Sequence, residues 1–181
     1  MQPGCNAFLE RWPEIISSAK SFYLEWMDRF IMNWITREHA KVDRIACPWL
    51  IKNFVDPDPV FYFVPADDVL SKAEELDAIP FDVDGSELTH FNAQYEEHVS
   101  FDSIIKKYAI DDPAILELAR IVRGADAKIV KPPQESAGLF AAASGFREIA
   151  KDDFDNMQLQ FPLYDALYAF CSSKVKKNID V

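Results

Sequence analysis

Apolar residues along this chain change their spacing after about residue 100. Before that point they gather in short continuous runs bounded by proline, aspartate or glycine, a pattern typical of buried strands. The runs lie near Trp34, at Val60–Val64, at Ile79–Val83 and at Glu87–Phe91. They predict a small mixed β-sheet in the N-terminal half of the chain, covered by helices.

From Phe101 onward the apolar residues recur at intervals of three and four, so the C-terminal half is predicted to be mainly helical. Asp112 is a predicted helix cap with Pro113 at the first helical position, and Gly124 is the predicted end of that helix. Further helices are predicted at Asp67–Leu76, Phe101–Tyr108, Glu135–Ile149 and about Asp152–Val175. Together with the sheet, these helices predict an α+β fold.

The segment before Asp56 mixes apolar and charged residues in a way that ordinary helix patterning does not require. Trp49 and Phe54 belong to the apolar side of a predicted helix. Pro48 has no N–H to donate, so this helix either starts at Pro48 or kinks there. Asp43 and Arg44 then lie near a helix N-terminus, which favours anions.

Residues 1–31 form a predicted helical N-terminal extension, and residues 32–181 form the main domain. Apolar residues such as Phe8, Trp12 and Ile15 are spaced as in one or two amphipathic helices. The segment is a genuine extension, the tail of another domain, or the product of a wrongly assigned start. So many aromatic side chains require burial, either on the domain or on a protein partner or second copy.

Composition limits the class of protein. The 181 residues are 49% hydrophobic with 14 Phe and 4 Trp, as expected of one folded domain. The net charge of −11 argues against direct nucleic-acid binding through a broad basic face. Cys5, Cys47 and Cys171 are too widely spaced for a disulfide framework or a paired zinc motif. With no recognisable signal peptide or membrane span, the sequence predicts a cytoplasmic location and no membrane partner.

His90 is the strongest candidate for chemistry because it follows a predicted strand, where loops place functional groups. Glu97, Asp126 and Glu135 could join it to hold a divalent transition metal or to support acid–base catalysis. The alternative is that His90 bonds only the backbone. No HExxH-type motif supports the metal hypothesis, so the cofactor stays unknown at this stage.

A second candidate site contains arginines. Arg37 and Arg44, together with a helix N-terminus near Asp43, could bind an oxyanion, and Arg123 could add a contact. Ordinary ion pairing, such as Arg44 with Asp43, is the alternative. Cys47 could be a reactive thiol beside Arg44, although a lone cysteine before Pro48 is more often a buried core residue.

Several segments in this order resemble the C-terminal domain of ChrB-type chromate-resistance proteins. They are Trp34–Arg37, Lys41–Pro57, Ile79–Asp82, Glu87–His90, Ser100–Asp102, Asp111–Ala114, Ala119–Asp126 and Pro162–Tyr168. The resemblance covers most of the chain from about Asn33. Two positions depart from the family pattern, because Val99 and Arg123 stand where the family often has cysteine and histidine.

The resemblance implies a chromate-responsive sensory or accessory domain. Chromate is a tetrahedral dianion like sulfate, so it or a similar oxyanion would be the partner of the arginine site, with Asp43 and Cys47 among the ligand-binding residues. The rival hypothesis is a small metal-dependent or redox enzyme that uses His90 with nearby acids. A third is an interaction module that binds another subunit through the N-terminal helices.

Overall fold

The structure, a computed structural model, describes residues 32–179. The predicted extension, residues 1–31, lies outside the described residues. Three parallel strands form the main sheet in the order β2-β1-β3. They are β1 (Asn33–Arg37), β2 (Val60–Val64) and β3 (Ala78–Pro80). Helix α1 (Val42–Phe54) connects β1 to β2, and α2 (Val69–Glu75) connects β2 to β3, as parallel strands require.

The central strand β1 is covered on both faces. Trp34 belongs to the main core with α1 and the later helices, whereas Ile35 packs on the other face with Val69 and Ala73 of α2. All of these side chains are buried. Burial on both faces explains why two apolar residues, Trp34 and Ile35, are adjacent in β1 rather than alternating with polar ones.

A separate antiparallel hairpin lies next in the chain, with β4 (Phe91–Ala93) paired to β5 (Glu96–His98). Its two turn residues, Gln94 and Tyr95, have left-handed φ angles of 52° and 65°. Two such residues make the tight turn that matches the twist of a hairpin. The hairpin places His90 and Glu97 next to each other.

The rest of the described chain is helical, which confirms the predicted α+β fold class. The helices are α3 (Ser100–Lys107), α4 (Pro113–Asp126), α5 (Gln134–Ile149) and α6 (Asp153–Ile179). Asp112 caps α4 by accepting hydrogen bonds from the amides of Ala114 and Ile115. Helix α6 is tied to α1, because Tyr164 donates to the Val42 carbonyl at 2.8 Å.

Two local predictions were wrong, and one of two alternatives at Pro48 is excluded. Pro48 lies inside α1, which starts at Val42, so the helix does not start at Pro48, and a kink there stays a prediction. Glu87–Phe91 is not a strand, although Leu88 forms an isolated bridge with Phe81. Gly124 lies within α4 instead of ending it.

Close packing explains the glycine at position 124. A Cβ at Gly124 would lie 2.4 Å from Ser136 Oγ and 2.9 Å from Pro132 Cβ. The Ser136 hydroxyl donates to the Ile121 carbonyl at 2.9 Å and is fully buried there. The glycine therefore lets α4 approach the start of α5. Among the described helices, none is long and apolar enough to cross a membrane.

Candidate functional site

The polar cluster of this domain lies where the C-terminal end of the parallel sheet meets the ends of several helices. Arg37 ends β1, and Asp82 follows β3. Asp43 is in the first turn of α1, and Asp126 is the last residue of α4. Side chains at the carboxyl ends of parallel strands converge, and this edge is where α/β sheets bind ligands.

His90 lies at the centre of the cluster. Its Nδ1 is 3.0 Å from Glu97 Oε1, and its Nε2 is 3.3 Å from Asp82 Oδ1. The same Nε2 is 3.7 Å from both Asp43 Oδ2 and Asp126 Oδ2. These acids raise the pKa of His90 to about 11, with Asp43 and then Asp82 as the largest causes. The metal-free ring is therefore an imidazolium at neutral pH.

Asp43 is fixed by the start of α3. Its carboxylate accepts hydrogen bonds from the amides of Ser100 and Phe101, at 2.8 and 3.1 Å. These amides are at a helix N-terminus, where free N–H groups and the helix dipole stabilise a negative charge. Burial nevertheless raises the pKa of Asp43 and outweighs the lowering effect of His90. Asp43 thus presents a rigid, buried oxygen to His90.

Asp82 forms ion pairs with the two nearby arginines. Its Oδ2 is 2.9 Å from Arg37 Nη2 and 3.1 Å from Arg44 Nε, and its Oδ1 accepts from the Ser100 hydroxyl at 3.0 Å. Burial would raise the pKa of Asp82, but His90 and Arg37 outweigh it, so the pKa is lowered. Asp82 has a left-handed φ of 53°, a strained backbone conformation of the kind found at functional sites.

Asp126 behaves differently from Asp82 because no arginine within residues 32–179 is paired with it. Burial, followed by the charges of Asp43 and Asp82, raises the pKa of Asp126 to about 7. Its side chain is 26% exposed, so this carboxyl is in contact with solvent as well as with the cluster. A carboxyl with this pKa can take up or release a proton at neutral pH.

Asp43, His90 and Asp126 can together hold a metal ion. One ligand atom from each lies within 4.8 Å of the others. Ligand atoms around an ion with bonds of about 2.1 Å are roughly 3–4 Å apart, so separations of 3.7 Å fit. Two carboxylates and an imidazole suit divalent ions such as Zn²⁺, Mn²⁺ or Fe²⁺. The ring must lose its Nε2 proton before it can bind one.

The arginines predicted to bind an oxyanion already have partners. Arg37 and Arg44 bind Asp82, and Arg44 also donates to the Glu38 carbonyl at 2.9 Å. The alternative pairing of Arg44 with Asp43 is not the one observed. Arg123 forms a two-pronged pair with Asp102, at 2.6 and 3.0 Å. In the structure all three guanidinium groups therefore form ion pairs with carboxylates.

Cys47 does not have the environment of a reactive thiol. Its side chain is fully buried and donates to Asp43 Oδ1 at 3.5 Å. Burial, together with the charges of Asp43 and Asp82, raises the pKa of the Cys47 thiol well above its usual value. A thiol that stays protonated is a weak nucleophile, so the redox-thiol alternative has no support from this geometry.

The structure brings together His90, Glu97 and Asp126, as the sequence suggested, but not Glu135. Glu135 is at the start of α5, and its nearest cation is Lys174 at 3.9 Å. Sequence reasoning missed Asp82. A signal was present, since Asp82 lies at the C-terminal end of the predicted strand Ile79–Val83, and strand ends are where ligands bind in parallel sheets.

The fold and the site define the class of this molecule, an α+β domain with a carboxylate–histidine cluster. The chain belongs to the family described as ChrB, C-terminal domain, whose model matches residues 34–171. It is 32% identical over 145 residues to Protein ChrB of Cupriavidus metallidurans, covering 80% of this chain. The chain spans 42% of that relative's length. No solved structure matches the chain.

Proposed function

We propose that this chain is a chromate-resistance-related sensory or accessory domain that binds a divalent transition-metal cation through Asp43, His90 and Asp126. Membership of the ChrB family supports the link to chromate resistance. The observation that carries the cation is that Asp43 Oδ2 and Asp126 Oδ2 both lie 3.7 Å from His90 Nε2. The two carboxylates need a positive charge between them, which the His90 proton supplies in the metal-free chain and a bound cation would supply in its place.

A cation suits this cluster better than chromate does. Four carboxylates surround His90, from Asp43, Asp82, Glu97 and Asp126. They would repel a dianion across a few ångströms. The guanidinium groups that could offset this repulsion bind Asp82. Chromate at Arg37 and Arg44 would have to compete with Asp82 for both guanidinium groups.

Calorimetric titration of the metal-stripped full chain with Zn²⁺ and Mn²⁺ tests the proposal. We expect one ion per chain and release of about one proton from His90, which is read from the dependence of the heat on the buffer's ionisation enthalpy. His90→Asn should weaken binding by at least roughly tenfold. His39→Asn is the matched control, since the His39 side chain is 73% exposed and outside the cluster.

Two outcomes would contradict the proposal. One is the absence of any saturable heat with either ion. The other is unchanged affinity in both His90→Asn and Asp126→Asn. A parallel titration with chromate tests the oxyanion alternative. Chromate binding that is lost in folded Arg44→Ala would mean that an oxyanion, and not a cation, is the ligand of this site.

A metal-dependent enzyme is the second candidate, and Asp126 is the observation that favours it. In this candidate Asp126 is a general base rather than a third ligand, since a partly exposed carboxyl with a pKa of about 7 beside His90 is suited to that chemistry. Hydrolysis of p-nitrophenyl esters by the Zn²⁺-loaded chain is the simplest assay. Turnover that disappears in Asp126→Asn while this variant still binds Zn²⁺ would support this candidate, and no turnover above that of free Zn²⁺ would remove it.

A further inference from the structure

A cavity of about 360 Å³ lies beside the cluster, where the segment before β4 passes over α3. Its lining includes His90, which also faces the carboxylates of the proposed metal site. The cavity and the cluster therefore share a side chain. Its volume is within the range of small-molecule sites in proteins.

The inner wall of this cavity is apolar and rigid. Leu88 is almost fully buried, and the Phe91 ring lies against the cavity. Phe91 is held by stacking on His98, with 4.8 Å between the ring centroids. The Ser103 hydroxyl donates to the Thr89 carbonyl at 2.6 Å, which fixes the two sides of the cavity to each other. Such a wall suits an aromatic or compact aliphatic group.

The rim of the cavity carries an available cation. Lys107 pairs with Glu87, so these two charges offset each other. Lys106 has no carboxylate partner within 4.0 Å in the described part of the chain, and its ammonium lies 5.3 Å from the Phe91 ring centroid. In a chain with a net charge of −11, this opening therefore presents a local positive charge above an apolar wall.

We propose that this cavity binds a small organic carboxylate, with its apolar body against Phe91, which Leu88 supports from behind, and its anionic group paired with Lys106. Inorganic oxyanions lack the apolar body that this wall would contact. The bound molecule lies next to His90, so a metal at the cluster strengthens its binding through the added positive charge. Only that strengthening rests on the proposed function, because the cavity and Lys106 are present without a metal.

A nuclear magnetic resonance titration of the metal-free full chain with benzoate and its neutral analogue benzamide tests the proposal. We expect benzoate to shift the amide signals of Leu88, Thr89, Phe91 and Ser103, with at least tenfold weaker binding of benzamide. Lys106→Gln should weaken benzoate binding about tenfold, as expected for loss of one charge-assisted contact, and leave benzamide unchanged. Lys176→Gln, an exposed lysine on α6, is the matched control.

Equal affinities for benzoate and benzamide would overturn the proposal. So would an unchanged benzoate affinity in folded Lys106→Gln, or signal changes confined to residues outside 87–107. Repeating the titration with Zn²⁺ present separates this proposal from the metal site. If Zn²⁺ does not bind, the proposed function fails. The titration of the metal-free chain with benzoate still tests whether the cavity binds a carboxylate.

Discussion

At the scale of single residues, Asp82 organises the cluster although it is not one of the three proposed metal ligands. Its carboxylate forms ion pairs with Arg37 and Arg44, accepts a hydrogen bond from the Ser100 hydroxyl, and lies close to His90. Its two guanidinium partners are only partly exposed, so removing its charge leaves them without a nearby counterion. Removing one partner of such an ion pair destabilises the protein by more than the intact pair stabilises it. The remaining charge stays partly desolvated and has lost its partner.

Asp82→Asn is therefore expected to lower the free energy of unfolding by about 1–3 kcal/mol. Urea unfolding of the metal-free chain measures this change. Asp84→Asn is the control, since Asp84 is an exposed carboxyl two residues further along the same loop. An equal effect from both substitutions would mean that the ion pairs of Asp82 contribute little.

His90 gives the metal-free protein a pH dependence of known sign. Its pKa is raised from 6.5 to about 11 on folding, so the folded state binds the proton more tightly. The resulting stabilisation is fully present below pH 6.5 and is lost as the pH rises toward about 11. Asp126 also makes the folded state less stable as the pH rises, in the range between its usual pKa of 3.8 and its raised pKa of about 7.

We expect the unfolding free energy of metal-free wild type to fall with rising pH between these two His90 values. His90→Asn should flatten this fall, whereas His39→Asn should keep it. Urea unfolding at several pH values makes the measurement. Parallel slopes in wild type and His90→Asn would show that His90 is not responsible for the pH dependence.

At the scale of secondary-structure elements, the packing of α4 on α5 depends on the absence of a side chain at one position. A methyl group at Gly124 would lie 2.4 Å from Ser136 Oγ, below any normal contact distance. Gly138, in α5, has no neighbour within 4 Å of an added Cβ. The two glycines are both helical, so they differ mainly in this contact.

Gly124→Ala is expected to lower the free energy of unfolding by about 1–3 kcal/mol, because overpacking forces the helices apart. Gly138→Ala should instead raise it by about 0.5–1 kcal/mol, the usual gain from replacing a helical glycine. Thermal or urea unfolding of both variants gives the comparison. A stabilising effect at Gly124 would show that the two helices can separate without cost.

The errors in predicting these elements have physical causes. Asp112 and Pro113 were read correctly as a helix start because capping is a local property of the backbone. Gly124 was read as a helix end because a sequence cannot distinguish a glycine that ends a helix from one that permits close packing. Glu87–Phe91 has residues typical of a strand. The chain turns at the left-handed residue Asp82, however, and this segment does not add a further strand to the sheet.

At the scale of the whole molecule, the cluster depends on contacts between residues far apart in sequence. His90 and Asp126 could be nominated from residue type and their positions at element ends. The position of Asp82 between Arg37 and Arg44 could not, because it follows from the parallel pairing of β1 with β3. That pairing also explains why the arginines became part of a carboxylate cluster rather than an open oxyanion site.

Metal binding should therefore stabilise the domain as a unit. Asp43, His90 and Asp126 belong to α1, the segment before β4, and α4. An ion present at about 100 times its dissociation constant adds about 2.7 kcal/mol, which corresponds to a rise in Tm of roughly 5–10 °C for a chain of this size. Hydrogen exchange should slow in all three segments together, because they can open only after the ion has left.

Hydrogen-exchange mass spectrometry with and without Zn²⁺ distinguishes this coupling from local binding. Slower exchange confined to the β4–β5 hairpin would mean that an ion is held by His90 and Glu97 alone, outside the proposed three-residue site. His90→Asn is the control, since it should lose the response in α1 and α4 while its helices stay folded. Coupled protection of α1 and α4 is the result expected if Asp43 and Asp126 share one ion, which would replace the His90 proton as the positive charge between them.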